Sequence, residues 1–141
     1  MRMSESQLAG IRRRATTPKA TTSARVKVRP RPKHTPGAMN KTETLFLQSY
    51  IQPRIFSGEF LSSEFESIKL RLAKTTFYTP DFFVATPTEF IVFEVKGFWE
   101  DDARVKIKVA ADKYHHFRFI AVQKVTEKQG GGWKFEEFTP A

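Results

Sequence analysis

Three charged residues stand within or at the edge of the two most apolar runs of the chain. The stretch from Thr79 to Trp99 reads TPDFFVATPTEFIVFEVKGFW, and within it Asp81, Glu94 and Lys96 stand among aromatic and β-branched residues. Side chains on a strand alternate faces, so Glu94 and Lys96 share one. An antiparallel partner strand would bring Asp81 beside them. Two carboxylates and one ammonium at the end of a buried sheet are costly unless paired or bound to a cation. Neighbouring carboxylates repel, and a hard divalent cation such as Mg²⁺ relieves the repulsion through oxygen ligands. A nearby Lys then orients a water or stabilises charge developing around phosphorus. That chemistry is cation-assisted hydrolysis of a phosphodiester. The same residues also suit a plain hairpin, with a Glu94–Lys96 ion pair and Asp81 as a turn residue after Pro80. Spacing alone leaves both open.

The elements that must position these residues are readable from the pattern. Phe77 to Ala85 and Phe90 to Val95 read as two strands, with Thr86-Pro87-Thr88 as the turn between them. Phe65 to Ala73 alternates, with Ile68, Leu70 and Leu72 on one face, and reads as a strand pairing with the Phe77 run. Lys69 and Arg71 on its wet face are either DNA-backbone contacts or ordinary solvated charges. Asn40-Lys41-Thr42-Glu43 reads as a capping box, opening a helix through Leu45, Leu47, Tyr50 and Ile51. Pro53 kinks or ends that helix, and Gly58 is a natural stop. Gly97, just after the charged strand, allows a close approach of backbone or substrate. Ala103 to Val109 alternates like a strand, but the acidic Glu100-Asp101-Asp102 start and Ala110-Ala111 favour a helix. Ala103, Ile107, Ala110 and Ala111 would form its buried face. Arg104 and Lys108 lie one turn apart on the other side, to grip a phosphate or simply to face water. Phe117 to Val122 is expected beside the Glu94 strand after the helical crossover, and Trp133 to Phe138 as a last strand paired with it. His115 and His116 take no catalytic role.

The Pro-Asp start and Glu-Val-Lys end resemble the PD-(D/E)xK nuclease signature. The longer stretch YTPDFF…FEVKGFWEDDAR resembles the core of the bacteriophage T-seven endonuclease I family, the phage junction-resolving enzymes, and of related small phage nucleases. The likeness is close over Tyr78 to Lys108 and looser from Asn40. It implies an α/β fold, a restriction-endonuclease-like core with a mixed central sheet flanked by helices. It implies that Asp81, Glu94 and the carbonyl of Val95 hold one or two Mg²⁺ ions, with Mn²⁺ able to substitute, and that Lys96 positions or activates the attacking water. In the family a Glu on the first helix reaches the metal site, and Glu43 is the best-placed candidate here; the reciprocal cap is the competing role, and one carboxylate cannot fully serve both. The implied protein is an endonuclease leaving 5′-phosphate ends on branched DNA such as Holliday junctions, acting as a homodimer in the host cytoplasm. The chain departs from the family in its N-terminal basic segment and in lacking a recognisable linker between helix and sheet. A nuclease of the same core acting on nicked, mismatched or linear DNA, and a non-catalytic nucleic-acid-binding module, share the same motif.

Composition sets the remaining bounds. The chain has 141 residues and no cysteine, which rules out disulfides and thiolate zinc sites. No apolar run approaches the ~20 residues that span a bilayer, and nothing in the sequence calls for a small-molecule cofactor. The net charge is +9. Residues 1–38 carry ten Lys/Arg against Glu5 alone, whereas the rest carries 14 of each sign. The chain therefore divides into a basic tail, 1–38, expected to be disordered, and a nuclease domain, 39–141. Arg29, Arg31 and Lys33 lie in the extended run RVKVRPRPK, which suits a polyphosphate backbone. A solubilising extension or a transit-like address are the other readings of such a tail. Met39 offers a second start of translation. If the tail binds DNA, deleting residues 1–38 weakens binding and flattens the plot of log affinity against log salt, by about 0.9 for each phosphate that the tail had neutralised. An unchanged slope removes the tail from DNA binding.

Overall fold

A five-stranded mixed sheet, with helices on both faces, carries the charged residues. The computed structural model describes residues 34–141; the expected tail with Arg29, Arg31 and Lys33 lies outside the described residues. The first helical stretch runs as α1 (Lys41–Phe46), a π-helical segment (Leu47–Ile51) and α2 (Gln52–Ser57). The strands are β1 (Ser62–Phe65), β2 (Leu70–Ala73), β3 (Thr76–Tyr78), β4 (Phe82–Ala85) and β5 (Phe90–Lys96). Helix α3 (Asp101–Lys113) then leads to β6 (Arg118–Lys124) and β7 (Trp133–Phe138). The central sheet has the order β1-β4-β5-β6-β7, and β2-β3 form a separate small sheet. Only β5 and β6 are parallel, as the α3 crossover requires; the other neighbours in the central sheet are antiparallel. Among the described residues no helix is long and apolar enough to cross a membrane.

Strand alternation divides the core in two. Ile91, Phe93 and Val95 of β5, with Val122 of β6, pack on the face that receives Phe46 and Ile51 of the first helical stretch. Val92 of β5, with Phe119 and Ala121 of β6, packs on the opposite face against Ile107, Ala110 and Ala111 of α3. The small sheet joins this second face through Leu70 and Tyr78. Phe46 is the aromatic hinge of the first layer, fully buried and in ring contact with Tyr50, Phe82, Phe93 and Trp133.

The expected capping box is present: the Asn40 side chain accepts from the Glu43 amide, and Glu43 Oε2 accepts from the Asn40 amide. Pro53 neither ends nor breaks the helix. A proline lacks the N–H that its turn would need. The chain loosens into the π segment just before it, where the Gln52 amide donates to Leu47. Gly58 then closes the stretch in the left-handed region, φ 83°.

Two expected strands are each divided. The run Phe65 to Ala73 breaks at Glu66, which adopts φ 47°. Phe65 packs on the first core, whereas Ile68, Leu70 and Leu72 pack on the second, so the chain must change sheets between them. β2 still pairs with the Phe77 run, Leu70 opposite Tyr78. The run Phe77 to Ala85 breaks at Thr79-Pro80-Asp81, leaving β3 in the small sheet and β4 in the central one. The expected order of three strands before the second helix is thus five. The alternating ARVKIKV segment is helical, with Ile107, Ala110 and Ala111 buried as expected. Replacing Phe46 by Ala should lower the unfolding free energy by about 3–5 kcal/mol, the range for a buried ring. Urea denaturation measures it, and a loss below about 1 kcal/mol would contradict this packing.

Candidate active site

The register of β4 on β5 brings the acids together. Phe82 pairs with Phe93, so one residue further Asp81 falls opposite Glu94. Both carboxylates are buried, with 5 % and 7 % of their residue surface exposed. Asp81 Oδ2 accepts a hydrogen bond from the Val95 amide at 2.7 Å. Glu94 and Lys96 do share a face, and Lys96 Nζ lies 3.0 Å from Glu94 Oε1. The other oxygen, Oε2, accepts from the Tyr78 hydroxyl at 2.7 Å. Glu43, buried on α1, sits close enough to influence the charges of both Asp81 and Lys96. Its cap to Asn40 uses Oε2 alone. The structure therefore bonds Lys96 to Glu94, sets Asp81 opposite Glu94 by register, and leaves Glu43 in electrostatic reach of Asp81 and Lys96 with its cap intact. Val95 enters through its amide, leaving its carbonyl as the candidate ligand atom.

The electrostatics are those of too little positive charge. Burial first, and then the Glu94 carboxylate, push the Asp81 carboxyl up to about 8, against the smaller opposing pulls of Lys96 and the Val95 amide. Burial alone would lower the Lys96 ammonium, but Glu94 and Asp81 outweigh it and hold its pKa above the usual lysine range. Lys96 is thus a cation and a donor in this site, suited to orienting a water or steadying an oxyanion rather than to taking a proton. Burial also raises the Glu43 carboxyl, partly offset by the Asn40 amide and Lys96. The Tyr78 phenol lies well above its ordinary value, through burial and then the Glu94 charge, so it remains a donor.

These donors fit a hard divalent cation. Two buried carboxylates repel in a low-dielectric setting and have one ammonium between them. Among the described residues no group of three His, Cys, Asp or Glu side chains is placed to hold a metal ion. Mg²⁺ needs none, since it keeps several waters and is bound through one or two carboxylates plus substrate phosphate. A cleft of about 310 Å³ opens on Glu94 and Lys96, bounded by Phe77, Tyr78 and Thr79 on one side and by Glu100, Asp102 and Lys106 on the other. Glu94 is therefore buried but reachable from solvent through this cleft, whereas Asp81 lies behind it and does not line it.

The expected DNA contacts fare unequally. Arg104 Nη2 donates to Glu136 Oε1 at 2.6 Å, and Arg71 donates to the carbonyls of Ala73 and Lys74 within its own hairpin. Lys69 lies 4.5 Å over the Phe77 ring, and Lys108 is exposed on α3. Lys106, not singled out from the sequence, is the α3 cation that lines the cleft. A Cβ at Gly97 would meet nothing within 4 Å among the described residues, so the backbone approach expected there is not seen among them. Trp99 is half-buried against the α3 layer, with Arg104 5.9 Å from its ring. Tyr78, which the sequence places only within the YTPDFF motif, and Glu66 take roles in the site that the sequence did not assign. Tyr78 had one signal, a hydroxyl in a chain that has 14 Phe and only 3 Tyr. Glu66 had none, yet its amide donates to the Asp81 carbonyl at 2.9 Å, and its carboxylate accepts from His34 Nε2 and the Gly37 amide, each at 2.7 Å.

Comparison with protein-family models, with curated proteins and with solved structures found no match to this chain. A carboxyl whose folded pKa exceeds its unfolded value binds protons more tightly when folded, so its stability contribution is lost as pH rises from about 4 to about 8. In the absence of divalent cations the protein should therefore be less stable at pH 8 than at pH 5 by on the order of a few kcal/mol from Asp81. Asp81→Asn should flatten that decline in thermal or urea denaturation. An unchanged pH slope in the variant contradicts the charge assignment.

Proposed function

We propose that the chain is a divalent-cation-dependent endonuclease with a restriction-endonuclease-like core, hydrolysing phosphodiester bonds in DNA. The observation that carries this reading is the register that sets buried Asp81 opposite buried Glu94 at the end of a mixed sheet, with Lys96 3.0 Å from Glu94 Oε1 and with Glu94 and Lys96 lining a cleft. A plain structural ion pair would be complete with one carboxylate. The second buried acid, raised first by burial and then by its neighbour, goes unexplained by that simpler reading. The strand-strand-helix-strand order that places the acids also agrees with the core implied by the YTPDFF…FEVKGFWEDDAR motif.

Asp81, Glu94 and the Val95 carbonyl would hold the cation, with Glu43 adjacent to a second position. When bound, Mg²⁺ supplies Lewis-acid polarisation of the phosphoryl group and neutralises charge at the leaving oxygen. Lys96 donates to the attacking water or to a non-bridging oxygen of the phosphate, and orients the reacting pair. The water oxygen forms the new bond to phosphorus as the bond to O3′ breaks. The water's second proton passes to solvent and O3′ gains one, leaving 5′-phosphate and 3′-hydroxyl ends. Lys106 and exposed Lys108 on α3 supply positive charge near the cleft for flanking phosphates. Branched DNA as the preferred target, the homodimer that paired cuts would need, and a phage protein's place in the host cytoplasm follow from the resemblance.

Purified protein incubated with plasmid and with a synthetic four-way junction should cleave in Mg²⁺ or Mn²⁺ and stop in EDTA. Strand-symmetric cuts in the junction support the branched target, and cleavage indifferent to branching supports a nuclease of linear or nicked DNA. Asp81→Ala and Lys96→Ala should each lower the rate by at least ~10² while DNA binding persists. Binding without cleavage in any divalent ion would leave a nucleic-acid-binding module and end the nuclease reading.

A further inference from the structure

We infer that Tyr78 is a positioning residue for the cation site, fixing the Glu94 carboxylate through the hydrogen bond to Oε2. The inference rests on the reading of Asp81 and Glu94 as cation ligands. Tyr78 belongs to the small sheet, whereas Glu94 belongs to the central one, so the 2.7 Å bond crosses between two separately hydrogen-bonded sheets. The ring itself fills the second core beside Leu70 and is only 6 % exposed. A phenylalanine would fill that space equally well, and this chain uses Phe freely. The hydroxyl is what the position adds, and it donates to Glu94.

The kind of donor matters. Lys96 holds Oε1 and the phenol holds Oε2, so each carboxylate oxygen has one donor and the plane of the group is set. A second cation in place of Tyr78 would have neutralised the acid pair. A neutral hydroxyl orients Glu94 while leaving its charge for a divalent ion, and each carboxylate oxygen keeps acceptor capacity for it. The small sheet is in turn held to the main body, because the Tyr114 hydroxyl at the end of α3 donates to the Arg71 carbonyl at 2.8 Å. Glu94 is thereby referenced to β3 and α3 as well as to its own strand.

The test uses the full chain with Mn²⁺ alone as the probe. Tyr78→Phe should raise the Mn²⁺ dissociation constant, read by titration calorimetry or electron paramagnetic resonance, by ~10-fold or more, as loss of a ligand-orienting hydrogen bond does. Its DNA affinity in EDTA should match the wild type, and saturating Mn²⁺ should restore cleavage. Mn²⁺ affinity within about twofold of wild type overturns the inference, as does a cleavage defect that excess Mn²⁺ leaves in place. Should the variant not fold, the ¹³Cζ resonance of Tyr78 in wild-type protein gives the same answer. It should shift on Mg²⁺ addition, and a resonance unmoved at saturating Mg²⁺ overturns the inference. A wild type that binds no Mn²⁺ sinks the cation site itself. A wild type that binds it while Tyr78→Phe binds equally well sinks only the role of Tyr78.

Discussion

Asp81 and Glu94 share the buried end of the central sheet with one ammonium among the described residues, that of Lys96. In a low-dielectric setting this is an unbalanced charge, and the balance can be met in three ways: a proton, a cation, or unfolding. The fold opposes the third by clamping each acid. Asp81 is held by the Val95 amide, Glu94 by Lys96 and Tyr78. The proton is the answer when no divalent ion is present, which is why burial and Glu94 carry the Asp81 carboxyl to about 8. A divalent cation bound at neutral pH would displace that proton and supply the missing charge in one step.

The rest of the architecture serves that clamp. Phe82 opposite Phe93 sets the register that faces Asp81 with Glu94. The parallel pairing of β5 with β6 requires the α3 crossover, and α3 brings Asp102 and Lys106 to the cleft in front of Glu94. On the other face, Phe46 and Ile51 seal the sheet and carry Glu43 alongside. Glu66, in its left-handed turn, both releases the chain from the central sheet and holds the carbonyl of Asp81. A backbone conformation that costs a non-glycine residue stability is thus found next to the charged cluster, where such strain tends to occur.

Much of this was legible in the chain because it is local. The capping box at Asn40, the period-2 sharing of a face by Glu94 and Lys96, the crossover before Phe117 and the final hairpin all depend on short-range rules. The breaks at Glu66 and at Thr79-Pro80-Asp81 were missed, though each left a trace. Phe65 and Ile68 are an odd number of residues apart and cannot share a face of one strand, and Pro80 removes a donor that a continuous strand needs. The helical state of ARVKIKV overrode its own alternation because the Ala110-Ala111 pair and Ile107 meet the sheet at helical spacing. The Tyr78–Glu94 bond and the Arg104–Glu136 pair join residues 16 and 32 positions apart across separate elements, and no sequence period encodes them. Arg104 illustrates the consequence: helical spacing placed it correctly on α3, but only the three-dimensional pairing of β7 with β6 shows that Glu136 already holds it.

The most direct measurement is a crystal of the protein soaked in Mn²⁺ and recorded at an energy where manganese scatters anomalously. A peak is predicted between the Asp81 and Glu94 carboxylates, at coordination distance from both, with Lys96 beside it. Saturating Mn²⁺ that leaves this position without a peak, while Asp81 and Glu94 keep their present partners, would contradict a shared cation at the two acids.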